Sequence, residues 1–195
     1  MLLVSSSRSG YHHGDLAHAL EAAAMQLLEE KPAQEISLRE VARAANVSHN
    51  APYHHFADRN GLLKTIAERS MADLLALVRE AIAASPDARA ALHDGGRAYI
   101  RFAVEHPHAF DAIYDPTVCV PGAPTETMAP LIEGLEEALG EAARGAGIDR
   151  PEDAVGFWGL VHGLGTLCAA GHFPIEVALA GYASAVDRML PASAA

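Results

Sequence analysis

The stretch that decides the fold is Val47-Ser48-His49-Asn50-Ala51-Pro52-Tyr53-His54-His55-Phe56. Just before it, Ser37 and Glu40 have the spacing of a capping box, which predicts a helix that begins at this serine. Asn46 is typical of a left-handed residue that ends such a helix, and Ser48 is suited to cap a second helix running to about Phe56. Two short helices joined by a tight turn predict a helix-turn-helix, a motif whose second helix fits the major groove of DNA, roughly 12 Å wide.

Helical periodicity continues through the rest of the chain, interrupted by proline and glycine. No alternating pattern of the kind found in strands occurs, and no repeat of fixed period is present. The sequence therefore predicts an all-α fold of about nine helices. Besides the two short ones, a long helix is predicted to begin at Asp58 or Asn60 and to end at about residue 84, and the other predicted helices cover residues 15–30, 85–105, 107–114, 125–146, 151–171 and 174–190.

Charge is distributed unevenly along the chain. The formal net charge is −11, yet residues 1–64 hold six Lys and Arg against seven Asp and Glu, so the acidic excess lies in the remainder. Phosphate contact needs only a local positive face. The total charge therefore neither excludes DNA as a partner nor argues for it.

Cysteine usage and hydropathy bear on the compartment. Cys119 and Cys168 are far apart in the sequence, which indicates a reducing cytoplasm and no disulfide framework, and the N-terminus lacks the features of a signal peptide. Residues 154–171 carry no formal charge and have the minimum length of a membrane span. Their five glycines, with His162, favour a buried interface helix instead, so no membrane association is expected.

Two motifs resemble the TetR family of DNA-binding regulators. The run from Val47 contains a Val-Ser turn, Tyr53, a His-Phe pair, the cation Arg59 and two leucines, and the resemblance covers about residues 12–64. The segment Phe157-Trp158-Gly159-Leu160-Val161-His162-Gly163 resembles the Trp/His-Gly signature of one subgroup's C-terminal domain. The resemblance implies an N-terminal arm and three-helix DNA-binding domain in residues 1–62, and a helical effector-binding and dimerisation domain in residues 63–195.

The resemblance also implies which residues meet DNA. His49, Asn50 and Ala51 fall where relatives contact base edges; asparagine pairs with adenine, and an alanine methyl touches a thymine methyl. Contacts to phosphate, which position the protein without reading sequence, are expected from Ser37, Tyr53, His54 and Arg59. The set is completed by Arg39, Ser48 and His55, the last with a packing role as well. Alternatively, Arg39 is only a solvent-facing charge, and His49 and Asn50 are solvated residues near a helix cap.

Two further sites are expected in the C-terminal domain, residues 63–195. Trp158 and His162 lie four residues apart and share a helix face; candidate walls of an apolar effector pocket are these two together with Tyr99, Phe102, Phe110, Tyr114 and Met128. The alternative is that these residues are ordinary core. In the resembling subgroup the last two helices pack against their copies, and Gly156, Gly159 and Gly163 would leave a shallow face for that contact, unless they serve packing within the chain.

The expected function is that of a repressor. A homodimer would bind a double-stranded, pseudo-palindromic operator with half-sites roughly 34–36 Å apart, and a small-molecule effector would release it, although activation stays open. The alternatives are an enzyme, for which no catalytic motif or cofactor loop is found, and a helical interaction or ligand-carrier module. The clustered histidines lack the spacing of a metal site, so no metal or cofactor is expected. Cys119 is either a redox sensor or incidental.

Overall fold

The computed structural model describes residues 13–190, and over that range all regular structure is helical. The expected N-terminal arm lies outside the described residues. The α-helices are α1 (His13–Glu30), α2 (Leu38–Ala44), α3 (Arg59–Ala83), α4 (Ala88–Glu105), α5 (Pro107–Ile113), α6 (Met128–Gly145), α7 (Pro151–Ala169) and α8 (Ile175–Met189). Two short 3₁₀ helices span Ala33–Glu35 and Ala51–His54. The all-α prediction is confirmed, with eight α-helices in the described residues where about nine were expected.

The head is formed by α1, α2 and the first turns of α3. The capping box at the start of α2 forms as predicted: Ser37 Oγ accepts the Glu40 N–H at 3.3 Å, and the Glu40 carboxylate accepts the Ser37 N–H at 3.0 Å. Asn46 has the expected left-handed conformation, with φ of 53°. Phe56 packs with the helices around it and is 3 % exposed, so it belongs to the buried apolar cluster.

The predicted second helix of the motif is a shorter and tighter element. Its backbone bonds run over three residues: Ala51 N–H donates to Ser48 O at 2.9 Å, and Tyr53 N–H donates to Asn50 O at 3.2 Å. Pro52 has no N–H with which to close the longer α-helical ring back to Ser48, so the segment becomes a 3₁₀ turn. The prediction of a helix from Ser48 to Phe56 with a serine side-chain cap was therefore wrong, since Ser48 contributes its carbonyl.

The longest helix, α3, belongs to both the head and the body. Asp58 caps it, accepting the Gly61 N–H at 2.8 Å, and the boundary proposed between residues 62 and 63 falls inside it. The body consists of the rest of α3 and of α4 to α8. Its central element is α4, which packs against α3, α6, α7 and α8. The buried side chains of head and body form one continuous cluster, to which α3 contributes in both parts.

Helices α4 and α8 approach each other most closely at Gly96. A Cβ atom added there would lie 2.1 Å from the hydroxyl of Tyr182 on α8. Tyr182 is fully buried, and its hydroxyl donates to the carbonyl of Leu92 at 2.6 Å. The absence of a side chain at Gly96 is therefore what lets the tyrosine ring reach its partner on α4.

The uncharged segment within α7 lies on the surface of the body. Phe157 and Val161 are buried, whereas Val155 and Leu167 are 70 % and 45 % exposed. Across residues 13–190 the structure contains no helix with both the length and the hydropathy needed to cross a bilayer.

Candidate functional site

The turn that follows α2 presents most of the predicted DNA-contacting side chains to solvent. Exposed residues of that set are Arg39, Ser48, His49, Asn50, Tyr53, His54, His55 and Arg59. Ala51 departs from it: this residue is 8 % exposed, so its methyl group lies in the head and not where a base could touch it. Ser37 is half-buried, and its hydroxyl is engaged in the cap of α2. Asn50, His49, Tyr53 and His54 are therefore accessible on one exposed turn.

A chain of hydrogen bonds joins the head to the body. The Arg59 guanidinium donates to the backbone carbonyl of Gln34, and the Gln34 side-chain amide donates to the carboxylate of Asp115. Hydrogen bonds from the hydroxyl and N–H of Thr117, together with that from Gln34, hold the pKa of Asp115 below its usual range. Asp115 lies directly after Tyr114, so the loop that follows α5 is connected to the arginine that begins α3.

The capping box also makes the head sensitive to acid. Hydrogen bonds from Lys31 and Ser37 lower the pKa of Glu40 to about 2 from 4.5. A carboxyl whose pKa is depressed in the folded state stabilises the fold above its unfolded pKa and loses that effect as the pH falls. We therefore expect Glu40→Gln to be less stable than wild type at pH 7, with the difference shrinking between about pH 4.5 and pH 2. Urea denaturation across this pH range measures it, and a difference independent of pH would contradict the assignment.

A cavity of about 320 Å³ lies in the body between α3, α6, α7 and the loop that follows α5. We call it the central cavity. Its walls are mainly apolar, and among its lining residues are Met71, Ile113, Tyr114, Val118, Cys119, Pro124, Met128, Leu135, Leu139 and Trp158. The charged lining residues are Lys64, Glu68 and Glu136. A mostly apolar cleft with a few polar groups is the usual form of a small-molecule site.

Four aromatic side chains form a polar cluster at one wall of the central cavity. The Tyr99 hydroxyl lies 2.6 Å from that of Tyr114 and 3.0 Å from His162 Nδ1. The Trp158 ring stacks on His162, with centroids 5.4 Å apart and planes at 26°. Burial raises the pKa of Tyr99 and of Tyr114 and lowers that of His162. At neutral pH the cluster is therefore uncharged.

The predicted pocket residues divide into three groups. Tyr114, Met128 and Trp158 line the central cavity, while Tyr99, Phe110 and His162 lie behind its wall, with Phe110 5.8 Å from Tyr99 between ring centroids. Phe102 is elsewhere: it lines a second cleft of about 720 Å³ between α1, α3 and the junction of α4 with α5. Placing Phe102 at the same pocket as the others was therefore wrong.

The sequence patterns did not indicate that α3 and the loop after α5 would line the central cavity. Lys64, Glu68 and Met71 reach the central cavity from α3, and Val118 to Pro124 supply another wall. The loop's proline and glycine content was the available signal, but it indicates only an irregular segment. Within residues 13–190 no three His, Cys, Asp or Glu side chains are grouped as metal ligands would be.

The glycines of α7 face away from the chain's own core. A Cβ atom added at Gly156, Gly159 or Gly163 would meet nothing within 4 Å, and the same holds for Gly181 on α8. Gly165 differs, since its Cβ would lie 3.0 Å from that of Ala103. Packing within the chain therefore does not explain the first three glycines. Together with exposed Val155, Leu167 and Val177, they form a surface that we call the α7–α8 face.

Two family models match the sequence. Residues 20–66 match the model described as bacterial regulatory proteins of the tetR family, and residues 92–191 match the one described as a tetracyclin repressor-like C-terminal domain. The two matches correspond to the head and to most of the body. No curated protein matches the chain.

Solved structures share the fold over nearly the whole chain. A protein of unknown function from Rhodococcus sp. RHA1 is 30 % identical, with a TM-score of 0.75, and the match covers 94 % of this chain and 99 % of that one. A tetR-family transcriptional regulator from Streptomyces coelicolor is 19 % identical, with a TM-score of 0.70 and coverage of 90 % and 80 %. The regulator PfmR from Thermus thermophilus is 22 % identical, with a TM-score of 0.61 and coverage of 91 % and 99 %. At such identities the last two show a shared fold alone.

Proposed function

Because the chain belongs to the TetR family of bacterial regulatory proteins, we propose that it is a repressor that binds a pseudo-palindromic operator as a homodimer and is released by a small molecule. Membership makes the chain a DNA-binding transcriptional regulator and not an enzyme. The observation that carries the finer proposal is the hydrogen-bonded connection between the loop of the central cavity and Arg59 in the head. Repression and ligand release are the outcomes that such a connection would serve.

The turn that follows α2, residues 48–56, which we call the recognition turn, would enter the major groove with Asn50 and His49 nearest the bases. An asparagine side chain pairs with adenine through two hydrogen bonds, which is worth about 1–3 kcal/mol of discrimination. Tyr53, 54 % exposed, and His54 would contact phosphates on either side. Such contacts orient the head and carry no sequence information.

Ligand binding would act on the head by two routes. Lys64, Glu68 and Met71 of α3 line the central cavity, and this helix begins just after the recognition turn. The loop after α5 lines the same cavity and reaches Arg59 through Asp115 and Gln34. A ligand shifts the equilibrium between two head positions only by the difference in its affinity for them.

The α7–α8 face would join two copies of the chain. It is apolar, lacks close packing within the chain, and has small residues that allow two helices to approach. A dimer formed this way is symmetric, so each protomer presents the same face to the other. It would set two recognition turns on successive half-sites, roughly 34–36 Å apart.

Selection of bound duplexes from a random DNA library, followed by affinity measurement at two salt concentrations, tests the proposal. We expect an enriched inverted repeat and an affinity that falls with salt, because phosphate contacts release counterions. Enrichment of no sequence at low salt as well as high salt would contradict operator binding by the ligand-free chain.

Asn50→Ala is expected to weaken binding to the selected operator by roughly 5- to 150-fold, the loss of one two-bond base contact. The effect should be largest at one base pair, because other contacts position the head without reading sequence. Fluorescence anisotropy with labelled operator measures it. Glu141→Ala, at an exposed position of α6, is the matched control and should bind like wild type. Equal affinity of the two variants would remove Asn50 from the recognition surface.

A further inference from the structure

Each member of the polar cluster beside the central cavity can either donate or accept, so its two hydrogen bonds can run in either direction. Tyr99 and Tyr114 carry one hydroxyl proton each, and the neutral ring of His162 carries one proton on either nitrogen. The Tyr99 hydroxyl bridges the other two groups, at 2.6 Å and 3.0 Å. Tyr99 can donate to only one of them, so the direction of both bonds depends on which nitrogen of His162 is protonated.

Two arrangements form both bonds and also use the hydroxyl proton of Tyr99, whose side chain is fully buried. When His162 Nδ1 is unprotonated, Tyr99 donates to it and Tyr114 donates to Tyr99. When Nδ1 carries the proton, His162 donates to Tyr99, Tyr99 donates to Tyr114, and the Tyr114 hydroxyl proton is left free at the cavity wall. A free O–H at a desolvated site is unfavourable. The second arrangement therefore needs an acceptor from a ligand.

The remaining polar group at this wall is already used within the cluster. Trp158 lines the cavity beside Tyr114, and its indole N–H, which only donates, interacts with the hydroxyls of Tyr114 and Tyr99. Of the charged lining residues, Lys64 and Glu136 are exposed and the Glu68 carboxylate accepts a hydrogen bond from Thr125, and none of the three forms a hydrogen bond or ion pair with the aromatic cluster. A charged ligand group placed against the aromatic cluster would lose its hydration without a partner of opposite charge.

We propose that the central cavity binds an uncharged, mainly apolar molecule through a carbonyl oxygen that accepts a hydrogen bond from Tyr114, and that binding favours the His162 tautomer protonated at Nδ1, Nε2 releasing its proton to water while Nδ1 takes one up. The inference rests on the cavity being the effector site, as proposed above. It adds the class of ligand and the change in hydrogen bonding that follows binding. That change runs from Tyr114 through Tyr99 of α4 to His162 of α7, which lies next to the α7–α8 face.

The test uses the full chain and a set of probes with one common body. Benzophenone has two phenyl rings and a carbonyl, diphenylmethane lacks the oxygen, and 4-benzoylbenzoate and a 4-trimethylammonium benzophenone add a charge of either sign. We expect benzophenone to bind about tenfold more tightly than diphenylmethane, the effect of one net hydrogen bond, and more tightly than both charged probes. Calorimetry or fluorescence of the single Trp158 measures the affinities.

Variants show whether Tyr114 is responsible. Tyr114→Phe should bind benzophenone and diphenylmethane with equal affinity. Tyr182→Phe is the matched control: it removes a buried hydroxyl that donates to Leu92, and since neither residue lines the cavity, it should keep the wild-type preference. In ¹⁵N-histidine spectra, the signals of His162, assigned by their loss in His162→Gln, should exchange the protonated nitrogen when benzophenone is added.

The outcomes separate the ligand class from the repressor function. Equal binding of benzophenone and diphenylmethane, or stronger binding of a charged probe, would overturn the carbonyl proposal while leaving the cavity as a ligand site. An unchanged His162 tautomer in the benzophenone complex would overturn the proposed change of tautomer. Failure of every probe to bind a chain that still binds its selected operator would overturn the ligand class and leave DNA recognition standing.

Discussion

Gly96→Ala is expected to destabilise the chain by about 3 kcal/mol, the upper end of what overpacking a core usually costs. The added methyl carbon would lie 2.1 Å from the Tyr182 hydroxyl and 2.3 Å from the ring carbon that bears it. A buried ring has no flexible end that could move aside. Relief of the contact requires α4 and α8 to separate, and this would also lengthen the bond from Tyr182 to Leu92. The melting temperature should fall by about 10 °C.

The matched control for this prediction is Gly61→Ala. Gly61 is also helical, but a Cβ atom there would meet its nearest neighbour at 3.7 Å, an ordinary contact. Alanine should stabilise this position by about 0.5–1 kcal/mol, because glycine loses more backbone entropy on folding. Urea denaturation of both variants compares the free energies of unfolding. If Gly96→Ala is as stable as Gly61→Ala, the close approach of α4 and α8 is wrong.

Gly159→Arg is expected to convert the proposed dimer into folded monomers. The residue is exposed, and a side chain there has open space within its own chain, so folding should be unaffected. In a dimer the arginine would lie between two apolar faces, where an unpaired charge is strongly unfavourable. Because two linked heads gain from effective concentration, operator affinity should fall about 10²- to 10⁴-fold. Light scattering gives the mass, and anisotropy gives the affinity.

Leu77→Arg controls for the mere addition of charge to an exposed apolar position. Leu77 is 41 % exposed and lies on α3 beside the second cleft, away from the α7–α8 face. It should remain dimeric and bind operator like wild type. A dimer that persists in Gly159→Arg would show that the protomers associate through another surface.

Local features of the fold could be predicted from the sequence because short-range hydrogen bonds determine them. The Ser37–Glu40 capping box, the left-handed Asn46 and the Asp58 cap each depend on residues within four positions of each other. The recognition turn shows the limit of that reasoning. Its residue types match the family pattern, but Pro52 changes the hydrogen-bond ring, and Ala51 turns inward, which the pattern alone does not indicate.

The cavity was harder to predict, because it depends on how distant helices are rotated against each other. The contact between Tyr99 and His162 joins residues 63 positions apart, and the prediction that they share a site rested only on the usual apolar and aromatic lining of such pockets. Tyr99 and Phe102 are three positions apart on α4, so their side chains differ by about 60° around the helix axis. That rotation is enough to direct one toward α7 and the other toward a different cleft.

The bond from Arg59 to the Gln34 carbonyl has a consequence for the rate and strength of DNA association. The N–H group that donates to this carbonyl is unavailable to a phosphate while the bond lasts. In the proposed complex, operator DNA would therefore compete with the protein's own backbone for part of this guanidinium. Substitution of Gln34 or Asp115, neither of which needs to touch DNA, would then change how readily the bond between Arg59 and the Gln34 carbonyl breaks. The affinity for the operator would therefore include the free energy of breaking this bond in the free protein.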